Sequence, residues 1–131
     1  MTHRSVGHWT LIPELCHYAP GSPPEDGRYE IGLIDGRFVF VIRWTKDGAP
    51  QTASFSAPAD GSEEPSDLPG LTHFTVSAPD PSTLDSAAFA GQTRRAWARR
   101  RVSQDGTLLS VYMENPGPEG PQRIYQVYRR S

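Results

Sequence analysis

The fold is decided by residues 28–45, which read RYEIGLIDGRFVFVIRWT. Apolar side chains alternate with polar or smaller ones on both sides of Asp35-Gly36, and the two apolar faces are Tyr29, Ile31 and Leu33, then Phe38, Phe40, Ile42 and Trp44. This period of two is typical of a β-strand with one buried face. Asp-Gly supplies the positive φ angles that a two-residue hairpin turn requires. The stretch therefore predicts two antiparallel strands joined by a tight turn.

Four other Asp-Gly pairs extend this pattern along the chain, at Asp26-Gly27, Asp47-Gly48, Asp60-Gly61 and Asp105-Gly106. The first four of the five pairs are 9 to 13 residues apart, a spacing typical of a meander of short strands. Further strands are predicted at 8–12, 51–56, 71–77, 83–89, 93–103, 107–114 and 122–130. We therefore expect an all-β fold, an antiparallel up-and-down sheet of about 8–10 strands that closes into a barrel to avoid exposed edges.

Residues 86–102 allow a second interpretation, because they are rich in Ala and Arg, which favour helices. Gly91 interrupts the stretch, and its neighbours on both sides have strand patterns. We therefore favour two strands over a basic helix.

Size and composition limit the function classes. The 131 residues form one predicted domain, 1–131, and the net charge of −2 gives no general attraction to nucleic acid or to an anionic membrane. The single cysteine, Cys16, excludes an internal disulfide and any site with several cysteine ligands. No apolar run follows residues 1–7, so we expect a cytoplasmic protein. No cofactor, metal, nucleic-acid or membrane partner is predicted.

Gly7-His8-Trp9 resembles the opening signature of lipocalins and fatty-acid-binding proteins, which belong to the calycin superfamily. In that superfamily the tryptophan plugs one end of the barrel and an arginine of the last strand packs over it. The resemblance implies that Trp9 closes the barrel together with Arg129 or Arg130.

The chain is also similar to a group of uncharacterised bacterial lipocalin-like proteins, in residues 7–14, 43–48, 82–86, 98–108 and 126–128. This similarity implies a closed barrel and adds nothing about activity. The chain departs from fatty-acid-binding proteins in residues 13–27, where four prolines leave little room for their two-helix lid.

A binding protein is the favoured function, with a small, largely apolar and acidic ligand inside the barrel. Arg123 and Tyr125 share one strand face and resemble the pair that holds a carboxylate in fatty-acid-binding proteins. The alternative is a solvent-facing arginine beside a core tyrosine. The predicted ligand-binding residues are Phe40, Trp44, His73, Arg95, Trp97, Arg99, Tyr112, Arg123 and Tyr125, with Arg95 or Arg99 as a second anchor.

Two other functions stay open. A small barrel enzyme would use a cavity group such as His73 as a general base, although no catalytic motif is recognised. Cys16 and His17 do not form a nucleophile pair, since neighbours on a strand point to opposite faces. A homodimer formed through the arginine-rich strand or a sheet edge is the third possibility. The arginine cluster equally fits a solvated outer face paired with acidic residues.

Overall fold

This computed structural model describes residues 3–118 and 120–131, and strands make up 63% of those residues. The only helical element among those residues is a 3-10 turn at Pro13–Leu15, and no helix there is long and apolar enough to cross a membrane. The strands are β1 (Gly7–Leu11), β2 (His17–Ala19), β3 (Gly27–Ile34), β4 (Arg37–Lys46), β5 (Ala49–Ala57), β6 (Glu64–Pro65), β7 (His73–Asp80), β8 (Thr83–Ala90), β9 (Thr93–Val102), β10 (Leu108–Asn115) and β11 (Gln122–Arg130).

The strands form one antiparallel sheet in the order β5-β4-β3-β1-β11-β10-β9-β8-β7-β6. The first and last long strands pair with each other, with Trp9 opposite Arg130 and Leu11 opposite Tyr128. The short β2 continues along β11 beyond β1. This pairing of chain ends curls the sheet into a barrel of ten strands.

The barrel is nearly closed, and the prediction of full closure is corrected. In the described part of the chain, β5 and β6 are the two ends of the strand order and do not pair with each other. Side chains span this gap instead. Arg37 donates from Nη1 to Glu64 Oε1 at 2.7 Å and from Nη2 to the Ser56 carbonyl at 3.0 Å. The ladder stops because the Pro- and Gly-rich residues 58–72 form only a two-residue strand.

Three of the five Asp-Gly pairs lie in the expected hairpin turns. Asp105-Gly106 lies in the turn between β9 and β10, where the Gly106 N–H donates to the Ser103 carbonyl at 2.9 Å. Both residues of Asp35-Gly36 have positive φ, 51° and 76°, and so do those of Asp47-Gly48, 53° and 78°. The prediction of a hairpin turn at Asp26-Gly27 is wrong, because Gly27 is the first residue of β3. A Cβ on Gly27 would lie 3.0 Å from Leu11 Cβ, so the glycine serves the close approach of β3 to β1.

Residues 86–102 lie in β8 and β9, so the helix alternative is excluded. Gly91 turns the chain between these strands with a φ of 62°. On β9 the inward side chains include Ala98, Arg100 and Val102, which are all buried. Burial of that face outweighs the helical preference of Ala and Arg.

Trp9 and Arg130 close one end of the barrel. Trp9 is 0% exposed, and the guanidinium carbon of Arg130 lies 4.1 Å from its ring centroid. Arg129 is exposed on the opposite face of β11. Apolar side chains fill the half of the interior next to Trp9, and they include Ile31, Phe38, Phe40, Val76, Leu84, Leu109 and Val111. The other half of the interior is hollow.

Candidate functional site

The hollow half of the barrel forms a cavity of about 1630 Å³ that opens to solvent. Its rim carries the apolar side chains of Pro23, Pro24, Trp44, Leu68 and Leu71. Its inner walls include Ile42, Phe55, Phe74, Ala88, Ala96, Ala98, Met113 and Ile124. A second hollow of about 390 Å³ lies outside the barrel beside the Arg43–Glu30 ion pair and is not enclosed by the sheet. The large cavity is therefore the candidate site.

Residues 20–26 cover one side of the mouth where fatty-acid-binding proteins would have helices. The carboxylate of Asp26 ties this segment to β4, since it accepts 3.0 Å hydrogen bonds from the backbone N–H and the hydroxyl of Thr45. At the other end, Gln122 Nε2 donates to the Pro20 carbonyl at 3.0 Å. The prediction of no helical lid agrees with this proline-rich segment.

Arg100 crosses the interior at the floor of the cavity. Its side chain starts on β9 and donates from Nε to the Tyr29 hydroxyl on β3 at 2.7 Å, and from Nη1 to Ser86 Oγ on β8 at 3.0 Å. Its guanidinium carbon lies 4.9 Å from the ring centroid of Phe40 and 5.9 Å from that of Phe55. Arg100 therefore separates the filled half of the barrel from the hollow half.

The charge of Arg100 is buried without a carboxylate partner. The residue is 5% exposed, and the ion pairs found among the described residues all involve other side chains. A buried charge without a counter-charge is costly because it has lost its hydration. Its Nη2 has no hydrogen-bond partner in the described chain, yet no fully buried side-chain nitrogen or oxygen there lacks one. Nη2 therefore faces the open space of the cavity.

A second polar group lies on the wall formed by β2 and β11. Gln126 Nε2 donates to the Tyr18 hydroxyl at 2.5 Å, and the Tyr128 hydroxyl donates to Gln126 Oε1 at 3.1 Å. Burial raises the pKa of both phenols, so they are neutral at ordinary pH. The rings of Tyr128 and Tyr29 meet edge to face at 5.4 Å and connect this group to Arg100.

Three of the aromatic residues predicted to line the site lie at or near it. Trp44 is on the rim, and Trp97 borders the cavity while its ring packs 5.3 Å from that of Tyr112. Phe40 lies below Arg100 in the filled core. Tyr112 is opposite Arg99 on the outer face of the sheet and does not line the cavity.

The predicted polar anchors lie outside the cavity. Arg95, Arg99 and Arg123 are exposed, and Tyr125 is 41% exposed. Arg99 donates two 2.8 Å hydrogen bonds to the carboxylate of Asp85. This agrees with the alternative prediction, in which the arginines lie on the outer face and pair with acidic residues. The physical reason is the period of two, since the neighbouring positions carry the inward side chains. Arg100 therefore lines the cavity, whereas Arg95, Arg99 and Arg123 do not.

A signal for Arg100 exists in the sequence. Ala96, Ala98 and Val102 share a strand face with it, and that face is more apolar than the one with Arg95, Trp97, Arg99 and Arg101. Choosing the face by its aliphatic residues would have found the buried arginine. The single tryptophan on the other face favoured the wrong choice.

His73 also lies outside the cavity. Its ring stacks on Phe89 at 4.9 Å, and its Nε2 is 3.6 Å from Glu63 Oε1. It is not among the residues that line the cavity. His73 is therefore not placed to act as a general base inside the cavity.

Comparison with known proteins gives the fold and no sequence family. No protein-family profile matches the chain, and no curated protein matches it in sequence. Among solved structures, the fatty acid transporter REP1-NXSQ matches with a TM-score of 0.63 at 13% identity, over 96% of this chain and 95% of its own. A secretory abundant heat soluble protein from Ramazzottius varieornatus matches with a TM-score of 0.64 at 11% identity, over 100% and 98%.

A zebrafish ileal bile-acid-binding protein complexed with cholic acid also matches, with a TM-score of 0.59 at 13% identity, over 98% of this chain and 99% of its own. At sequence identities this low, the structural similarity shows a shared fold and does not show a shared function. The chain therefore has the nearly closed antiparallel barrel of the lipocalins and fatty-acid-binding proteins.

Proposed function

We propose that this protein binds a small amphipathic molecule inside the barrel, with an anionic group on Arg100 and an apolar part extending to the mouth. The observation that carries the proposal is a buried guanidinium that has no carboxylate partner in the described chain and has an Nη2 facing a cavity of about 1630 Å³. An anionic ligand would supply the missing counter-charge. The hydroxyls of Tyr29 and Ser86 lie within hydrogen-bond distance of the same guanidinium and would complete the anion site.

The cavity walls support the apolar part of the ligand. Aliphatic and aromatic side chains dominate above Arg100, and burial of apolar surface contributes roughly 25 cal/mol per Å². Three of the structural neighbours are a fatty acid transporter, a fatty acid binding protein and a bile-acid-binding protein, and fatty acids and bile acids combine a carboxylate with an apolar body. The same chemistry suits this cavity.

Calorimetric titration with dodecanoate, dodecanol and dodecylamine tests the proposal. We expect dodecanoate to bind best. Arg100→Gln should weaken it by roughly 10- to 100-fold, because a hydrogen bond to a charged group is worth about 1.5–3 kcal/mol. Arg99→Gln is the matched control, since Arg99 is the next residue on the same strand and points outward to Asp85.

Equal binding of the acid and the amine would contradict an anion site. So would an equal loss of dodecanoate affinity in the Arg99 and Arg100 variants. Native mass spectrometry of the protein as purified, before any titration, would reveal an acid that is already bound.

A further inference from the structure

The hydroxyl proton of Tyr18 has no acceptor in the described chain. Its oxygen accepts the hydrogen bond from Gln126 Nε2, so that contact does not use the phenol's own proton. The amide oxygen of Gln126 accepts from Tyr128 instead. Tyr18 lines the cavity, and its spare O–H is therefore available to a molecule inside the barrel.

This surplus does not depend on which way the Gln126 amide is placed. With the amide oxygen and nitrogen exchanged, Tyr18 would donate to Gln126, and the proton of Tyr128 would be left over instead. Tyr128 is only 2% exposed, and an unused donor at such a buried position is costly because it has lost its hydrogen bond to water. The orientation that leaves the spare proton on Tyr18 is the favourable one.

Tyr18 stands on a different wall from Arg100 and nearer the mouth. Arg100 and Gln126 are both register partners of Val111, so they lie at the same level of the sheet. Tyr18 is opposite Ile124, the next inward position toward the mouth on β11. Arg100 and Tyr18 both line the cavity, so a molecule that fills it can contact both groups.

We propose that the ligand carries, besides its anionic group, an uncharged acceptor oxygen that receives a hydrogen bond from Tyr18. The ligand class is then an oxo-, hydroxy- or ether-substituted acid, and a plain saturated acid is a weaker ligand. This inference rests on the proposed function, because Arg100 would hold the anionic group of the ligand. The position of the acceptor oxygen along the ligand is then counted from that group.

The acceptor is uncharged because the Tyr18 wall offers it no cation. Tyr18, Gln126 and Tyr128 form a group of neutral side chains, and the buried guanidinium is already assigned to the first group. A second carboxylate here would lose its hydration in exchange for one neutral donor. An oxo or ether oxygen loses much less on entering the cavity.

The test is calorimetric titration with dodecanoate and a positional series of mono-oxo-dodecanoates. We expect one position of the oxo group to bind about three- to tenfold more tightly than dodecanoate, the range for one added neutral hydrogen bond. Tyr18→Phe should abolish that gain, so that this variant binds the oxo acid and dodecanoate with equal affinity. Tyr112→Phe, at a tyrosine on the outer face, is the matched control and should keep the gain.

The inference would be overturned if no mono-oxo-dodecanoate bound more tightly than dodecanoate. Binding of dodecanoate itself would still support the proposed function in that case. A gain that persists in Tyr18→Phe would overturn the inference as well. If no acid of the series binds, the proposed function fails and the inference fails with it. Thermal unfolding of each variant checks that it is folded, so that a missing gain in affinity is not caused by loss of the fold.

Discussion

Two arginines of this barrel, the exposed Arg130 and the buried Arg100, have opposite surroundings. Arg130, at the closed end, lies over Trp9 and donates three hydrogen bonds to backbone carbonyls, those of Arg4 at 2.8 Å, Gly106 at 2.9 Å and Val6 at 3.0 Å. Arg100, at the cavity floor, lies over Phe40 and has only two hydroxyls as partners. Neither has a carboxylate partner in the described chain.

The difference separates an arginine whose hydrogen bonds are satisfied by the backbone from the arginine that we propose as the ligand anchor. Carbonyl oxygens carry partial negative charge and are tied to the backbone, so they satisfy Arg130 permanently. Hydroxyl groups are weaker partners, and part of the Arg100 guanidinium stays directed at open space. A barrel can therefore use the same side chain to close one end and to receive a ligand at the other.

The largest expected effect is at the closed end. Trp9→Ala should lower the free energy of unfolding by about 3–5 kcal/mol, because it leaves a large cavity in the filled half and removes the hydrogen bond from Trp9 Nε1 to the Ser5 carbonyl. Trp44→Ala, at the half-buried rim, should cost about 1 kcal/mol or less. Urea unfolding measures both, and equal losses would contradict the division into a filled and a hollow half.

The second effect compares the two arginines directly. Arg130→Met should lower the free energy of unfolding by about 1–3 kcal/mol, since three carbonyls lose their donor. Arg100→Met should leave the stability of the ligand-free protein unchanged or raise it, because replacing an uncompensated buried charge by an apolar side chain removes a desolvation cost. Thermal unfolding without ligand checks the pair. A larger loss for Arg100→Met would show that its role is structural.

The smallest effect is a pH dependence at the closed end. Hydrogen bonds from Ser103 and Thr107 lower the pKa of the exposed Asp105 from 3.8 to about 2. A lowered pKa stabilises the fold above the unfolded value, and that contribution is lost as the pH falls from about 3.8 through about 2. The stability difference between the protein and Asp105→Asn should therefore shrink over this interval. Urea midpoints measured from pH 5 to pH 2 would show it, and a difference that stays constant would contradict the sign.

Local patterns were enough to predict most strands. The alternation on both sides of Asp35-Gly36 specifies a hairpin because each residue's preferred conformation and burial agree there. The short strands β2 and β6 were not predicted, since three and two residues carry no readable period. The gap beside β6 was also missed, because strand pairing between distant segments is not a local property.

The barrel interior was predicted as the place of the site, and of the predicted lining residues Trp44 and Trp97 border the cavity. The interior of the barrel follows from closure of the sheet, yet the anchor depends on which face of β9 turns inward. Trp97 on one face and the alanines on the other gave conflicting signals. Tyr18 had no signal, because its hydroxyl becomes useful only through contact with Gln126, 108 positions away along the chain.

The sequence by itself determined an all-β meander and its tight turns at Asp35-Gly36 and Asp47-Gly48. These features depend on backbone preferences and on a period of two, which act between near neighbours. Only the tertiary structure decided that Arg100 is buried with no acidic partner among the described residues, and that the Tyr18 hydroxyl has no acceptor among them. Both observations depend on which strands, far apart in the sequence, come together around these two side chains.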